Sequence, residues 1–334
     1  MTSAILAVAE AGPFVTIQDG GRPGLMRFGV PASGPMDRAG FRYAQAALGN
    51  RQDAAAIEIS LGGVALDCLD GSVTIALAGG GFRAAIDGAA IAGSSVATLR
   101  AGSRLTIRPG DWGSWCYLAF AGRLNATGWL GSAATYSIAD LGGGGLVAGQ
   151  RLVVDAAEIL SDREGTLPLG DAVRPPDRVR VVLGPQQHFF TPEAIARLTS
   201  EPYTLTDAYD RMGVRLSGPS LGPLARLDMP SEALVRGSVQ VAGDGLPTIL
   251  LADHQTTGGY PKIATLISAD LDQLAQRRAG DSIRFVAVTP EAAIAAARQR
   301  HARVERQVAI LREGALPLEA RLMRLNLVDG VVRG

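Results

Sequence analysis

Short apolar stretches, each ended by a glycine, a proline or an Asp-Gly step, run through most of this chain. Stretches of that length are too brief for the buried face of a helix, but they suit strands with at least one face in a core. The pattern predicts strands over residues 4–8 and 15–18. A β-meander follows over 56–61, 64–69, 73–78, 82–86, 95–99, 104–108 and 115–119, with turns at Asp70-Gly71, Asp87-Gly88 and Pro109-Gly110. So many strands would expose many unpaired edges, and closure into a barrel hides them.

Helical spacing interrupts this pattern in a few places. One helix is predicted over 36–48, with Phe41, Ala44 and Leu48 on one face and Gly49 as its stop. A short one opens at Thr191-Pro192-Glu193, another spans 270–276, and a long one starts at Thr289-Pro290-Glu291 and runs to about Glu313. In the last, Ile294, His301, Val304, Val308 and Leu311 recur at helical intervals, as in an amphipathic helix that docks on the body or on another subunit. Periodicity is lost between Glu158 and Arg178, where Gly165, Pro168, Gly170, Pro175 and Pro176 mark a linker. The expected units are thus a β-barrel domain over 1–165, a second over 178–288, and a helical extension over 289–334.

Thirty-two basic residues balance 32 acidic ones, and there is no basic stripe with interleaved aromatics, which argues against a nucleic-acid partner. Cys68 and Cys116 lie far apart in apolar strands and read as buried free thiols. No apolar run suits a signal peptide or a membrane span, and a cytoplasmic protein is expected. The three histidines are scattered, and no metal site is expected.

Every basic residue except Lys262 is arginine. Lysine differs from arginine in having a compact ammonium whose pKa shifts on burial, so a lone survivor is either a functional residue or a chance one on an exposed turn. Lys262 ends the run Asp253-His254-Gln255-Thr256-Thr257-Gly258-Gly259-Tyr260-Pro261, where a double glycine can take positive φ and form an anion-binding nest. The alternative is a glycine-rich hairpin whose threonines merely cap strands. A second cluster brings Gln18, Asp19, Arg22, Ser33 and Asp37 close in sequence. Ser33 or Asp37 can equally cap the helix that follows, and Arg22 can pair with Asp19. Arg211 is either a forked clamp for a substrate anion or the partner of Asp207 or Asp210.

Four segments, GPFVTIQDGGRPG (12–24), GVPASGPMDRAGFRYAQAALGN (29–50), DRMGVRLSGP (210–219) and ADHQTTGGYPKIATLISADLDQLAQ (252–276), together resemble the family of 5-oxoprolinase C subunits. That family is also labelled allophanate hydrolase subunit 2, or the carboxyltransferase-type domain of urea carboxylase and urea amidolyase. The resemblance implies a mainly β fold of two cyclophilin-like barrels with a few short helices and a C-terminal helix. It implies ATP-dependent opening of 5-oxo-L-proline to L-glutamate, with ATP and magnesium bound in a complex with an A subunit and a kinase-inhibitor-like B subunit. Two alternatives stand beside it: a carboxyltransferase component of a biotin-dependent enzyme that carboxylates urea or another amide, and a non-catalytic antagonist of the kinase-inhibitor-like partner. No Ala-Met-Lys-Met segment is present to accept biotin. On this reading Lys262, Arg211, Asp253, His254 and Asp37 carry the catalysis. Gln18, Arg22, Ser33, Gln255, Thr256, Thr257, Gly258, Gly259 and Tyr260 bind a small amide substrate.

Overall fold

A computed structural model describes residues 2–169, 175, 178–222 and 229–314. The protein is mainly β, with four α-helices among the described residues: α1 (Arg38–Ala47), α2 (Pro192–Ser200), α3 (Ser268–Ala275) and α4 (Pro290–Gly314).

Strands between Ser3 and Thr166 form one eleven-stranded sheet. Two of its strands are far longer than the sequence pattern suggests. Residues 73–78 and 82–86 belong to a single strand, Ser72–Ile86, and residues 104–108 and 115–119 to another, Arg104–Phe120. The Pro109-Gly110 step is therefore not a turn but a point inside a strand, and Gly79-Gly80-Gly81 is the matching point of its partner. The two strands pair from Ile75↔Phe120 to Ile86↔Leu105, with register shifts around Gly79, Gly81 and Arg83. Glycine is required there because the backbones nearly touch: a Cβ on Gly110 would lie 1.8 Å from the Gly81 carbonyl oxygen. Bent at this point, the strand Arg104–Phe120 pairs through its first half with Val64–Asp70 and through its second with Ala56–Ile59.

Seven strands of the second unit close into a barrel, in the order Arg178–Leu183, Lys262–Leu266, Ser238–Val241, Pro247–Leu250, Gly213–Ser217, Pro202–Tyr209, Ser282–Ala287 and back. Val181, Val214, Val239, Ile249 and Phe285 are fully buried within its core. A separate two-stranded ladder, Glu232–Ala233 with Thr257–Gly258, lies beside the entry to the strand that carries Lys262.

The two units share a core. One apolar cluster runs from α1 and the Ala76, Ala78, Tyr117 and Ala119 side of the long strands into the barrel, and ends on Val304, Val308 and Leu311 of α4. The long helix thus docks on the body of its own chain, with Arg42 of α1 bound to Glu305 at 2.6 Å, while Ile294 and His301 face solvent. Of the expected linker, Ser161–Arg163 forms a helical turn and Gly165–Thr166 pairs with Ser95 and Val96; Gly170 and Pro176 lie outside the described residues. Cys68 and Cys116 are free and buried, and burial pushes the Cys116 thiol up to about 12. Among the described residues no helix is long and apolar enough to cross a membrane.

Candidate functional site

The segment Gly34–Asp37 lies between the two units, and both hold it. Arg211 donates to the Gly34 carbonyl at 2.7 Å. Arg236 donates to the Pro35 carbonyl at 3.1 Å and also to that of Met36. From the sheet side, Glu58 accepts from the Met36 amide at 2.7 Å and the Tyr117 hydroxyl accepts from the Asp37 amide at 2.7 Å. Asp37 caps α1 by accepting from Gly40, and its other oxygen accepts from the Gln276 amide at 2.9 Å. Burial, helped by the charge of Asp272, raises the Asp37 pKa to about 6, against the pull of Gln276 and Gly40. The folded protein therefore binds this proton more tightly than the unfolded chain, and the group's contribution to stability falls as pH rises from about 4 to about 6. A carbon-detected NMR titration should place the Asp37 midpoint near 6, well above exposed aspartates.

Arg211 is not an open clamp. Its side chain is fully buried and makes four hydrogen bonds: Nε and Nη2 to the two oxygens of Asp253 at 2.9 and 3.0 Å, Nη1 to Glu58, and Nη2 to Gly34. Neither Asp207 nor Asp210 is its partner; Asp210 instead accepts from the Met212 and Gly213 amides and shapes the turn. Burial works against the guanidinium charge, and Asp253 and Glu58 more than restore it. For Glu58 burial dominates and raises its pKa, with Arg211 pulling the other way. Asp253 also accepts from the Ser137 hydroxyl at 3.1 Å. Arg211 is thus a cross-link between the barrel and the sheet, with its fork already occupied.

The residue after Asp253, His254, is buried, and its Nδ1 lies 2.7 Å from the Gln255 carbonyl oxygen. A carbonyl can only accept, so Nδ1 carries the proton and Nε2 keeps its lone pair. Burial lowers the pKa of the ring, partly offset by that hydrogen bond, and holds it neutral at pH 7.

Arg22 and Ser33 come together through their backbones. The Arg22 amide donates to the Ala32 carbonyl at 2.8 Å, and a Cβ on Gly21 would lie 3.2 Å from the Ser33 carbonyl oxygen. Gln18 donates to Thr16 and to the Thr135 carbonyl, and Arg22 to the carbonyls of Trp129 and Ala134. The alternative Arg22–Asp19 pair is not made as a hydrogen bond: Asp19 accepts from Gly21, Ser132 and Ala133.

Lys262 opens its strand with the ammonium turned to the two-stranded ladder, 3.2 Å from Glu232 and 3.0 Å from the Ala233 carbonyl oxygen. Gln186 supports both partners, accepting from the Lys262 amide at 2.7 Å and donating to Glu232 at 2.6 Å. The expected glycine nest is absent. Neither Gly258 nor Gly259 has a left-handed φ. Gly258 instead packs closely on side-chain ends, with a Cβ there 2.9 Å from Leu234 Cδ1 and 3.0 Å from Gln240 Nε2. Thr257 and Gly258 pair with Ala233 and Glu232, and the Thr256 carbonyl accepts from Leu234. Gln255 and the half-exposed Tyr260 instead line a groove of about 670 Å³ along the outside of the barrel, with Gln240, Arg215 and Phe14. Because Glu232 is half exposed, Lys262→Met should cost about 1 kcal/mol or less in a denaturation titration.

Sequence reasoning passed over Glu58, Tyr117, Arg236 and Gln276, which complete the junction. Glu58 had a legible signal, a carboxylate in the middle of the apolar strand Ala56–Ile59. Arg236 had none.

The sequence profile of the carboxyltransferase domain, subdomain A and B, matches residues 28–287 and so takes in most of both units and the junction between them. The 5-oxoprolinase C subunit of Escherichia coli is 34% identical over 91% of this chain and 98% of its own length. That of Haemophilus influenzae is 36% identical over 82% and 88%. The crystal structure of Kluyveromyces lactis urea carboxylase superposes with a TM-score of 0.82 at 25% identity, over 95% of this chain but 30% of that larger one. Profile and relatives span the sheet, the barrel and the residues that join them, and on that ground the chain belongs to the carboxyltransferase-domain family, subdomains A and B, together with the 5-oxoprolinase C subunits.

Proposed function

We propose that this chain is the C subunit of an ATP-dependent 5-oxoprolinase, which opens 5-oxo-L-proline to L-glutamate together with A and B subunits in the cytoplasm. The observation that carries this reading is the near end-to-end likeness to a curated 5-oxoprolinase C subunit, 98% of whose length is matched. The urea carboxylase likeness covers only a part of a much longer chain.

The substrate is a lactam, a planar amide whose nitrogen lone pair is delocalised into the carbonyl. Opening it requires stabilisation of negative charge on oxygen and a managed proton. Of the two arginines assigned to the site, Arg22 keeps a nitrogen with no protein partner, whereas Nε, Nη1 and Nη2 of Arg211 are all engaged. His254, neutral and with Nε2 unprotonated, is assigned the proton transfer, and the Arg211–Asp253 pair holds the turn that presents it. Lys262 is assigned a positioning role: its bond to Ala233 holds the ladder on which Thr257 and Gly258 lie.

No group of three or more His, Cys, Asp or Glu able to hold a metal occurs among the described residues, and the sequence has no Gly-x-x-x-x-Gly-Lys loop. ATP with magnesium is assigned to the complex, and no step is routed through it here. Nor is biotin assigned to this chain, because its single lysine is buried against Glu232.

A second reading, carboxyl transfer to urea, draws on the Kluyveromyces lactis likeness. Co-purification with candidate A and B subunits, followed by ATP hydrolysis assays with 5-oxo-L-proline and with urea, separates the two. Stimulation by 5-oxo-L-proline alone is the expected result. Stimulation by urea with a biotinylated carrier would replace the first reading by the second, and stimulation by neither would leave only a binding role.

A further inference from the structure

One face of α1 opposes one face of α4 across a small cavity that none of the junction residues lines. Arg38 and Arg42 stand one turn apart on α1, and Ala297, Arg300 and His301 fall on one stripe of α4. Ala39 and Ala269 complete the walls, and side chains this short leave about 230 Å³ open. That is less than the roughly 300 Å³ at which pockets for drug-sized ligands begin, so the space suits a small ion.

The walls are crowded with like charge. Arginines four apart on one helix face repel each other, and Arg300 brings a third guanidinium to the pair on α1. Asp272 supplies a carboxylate to the wall, and Arg42 takes a second from Glu305 at 2.6 Å, which still leaves positive charge in excess. The chain as a whole carries none. The nearby Asp37 carboxylate is already spent on Gly40 and Gln276. The crowding is felt by Arg236, which holds the Pro35 and Met36 carbonyls just ahead of α1. Its pKa is pushed down to about 10, by burial first and then by the Arg38 charge, with Asp272 pulling the other way. Donor capacity is left over as well: Arg42 keeps a buried Nε without a protein partner, and Arg38 is exposed.

We infer that α1, α3 and α4 form a binding site for a small oxyanion of the phosphate class, held between the guanidiniums of Arg38, Arg42 and Arg300. A tetrahedral oxyanion offers acceptors to forks arriving from two helices at once, which a planar carboxylate does not. Ser268 and Ala269 add the first turn of α3, a helix with no side-chain cap at its N-terminus. Such an ion fastens α4 to α1 beside the Arg42–Glu305 bond, on the helix that Asp37 caps.

The test is a calorimetric titration of the full chain with sodium phosphate at neutral pH, in chloride at fixed ionic strength. Binding should saturate in the millimolar range or below. Arg38→Gln and Arg300→Gln should each weaken it about tenfold. Because Arg38 is exposed, its variant should keep the parent's thermal midpoint in the absence of phosphate. Arg151→Gln removes the same charge from an exposed position on the sheet and should leave the affinity unchanged. A parallel titration with glycerol 3-phosphate separates two sources of the ion: equal or tighter binding makes the occupant a phosphomonoester, and weaker binding makes it free phosphate. No saturation with either, parent-like affinity in Arg38→Gln, or an equal loss in Arg151→Gln would overturn the site.

Discussion

Methionine in place of Arg211 should destabilise the protein by about 3–5 kcal/mol, because it leaves the carboxylates of Glu58 and Asp253 buried together without their shared cation. A urea titration with fluorescence detection would measure it. The pH dependence carries a distinctive sign. Burial already raises the Glu58 pKa, and losing Arg211 removes the charge that opposes this. In the variant the folded state then holds a proton that the unfolded chain releases, so stability should increase as pH is lowered toward the ordinary glutamate range. Adding Glu58→Gln should recover much of the loss, since a neutral amide needs no cation. A variant as stable as the parent at neutral pH would show that Arg211 does not join the units.

Turnover of the assembled enzyme should fall about a hundredfold or more when His254 is replaced by asparagine. The asparagine amide nitrogen can take the place of Nδ1 and keep the bond to the Gln255 carbonyl, while the lone pair of Nε2 is lost. Folding should therefore be little affected. Because burial lowers the His254 pKa, the acid limb of the parent's rate–pH profile should lie below 6.5 and be missing from the variant's profile. An unchanged rate would move the proton transfer to another residue or to a partner protein.

The strands and helices were largely legible because each obeys a local rule. Thr191 and Pro192 open α2, and Asp37 caps α1, through atoms a few residues away. The long strands were misread for a physical reason: Pro109-Gly110 and Gly79-Gly80-Gly81 look like turns in isolation, and only the contact between the two backbones shows why glycine is there. Site residues followed the same division. Composition singled out Lys262, but Glu232, its partner, sits 30 residues away on a two-residue strand that no periodicity reveals. Arg211 was noticed and given the wrong neighbours, since Glu58 is 153 residues distant and Asp253 42. Gln18, Arg22 and Ser33 were grouped from their nearness in sequence, and it is their unpaired atoms, visible only in three dimensions, that distinguish them from caps and surface pairs.

The apolar cluster that passes from α1 through the barrel to α4 has a consequence for production and inheritance of the gene. A chain divided between Thr166 and Arg178 would give two pieces, each showing solvent an oily face that its sibling normally covers. Expressed apart, such fragments should aggregate; expressed together, they should find one another and melt in a single step, as one cooperative body.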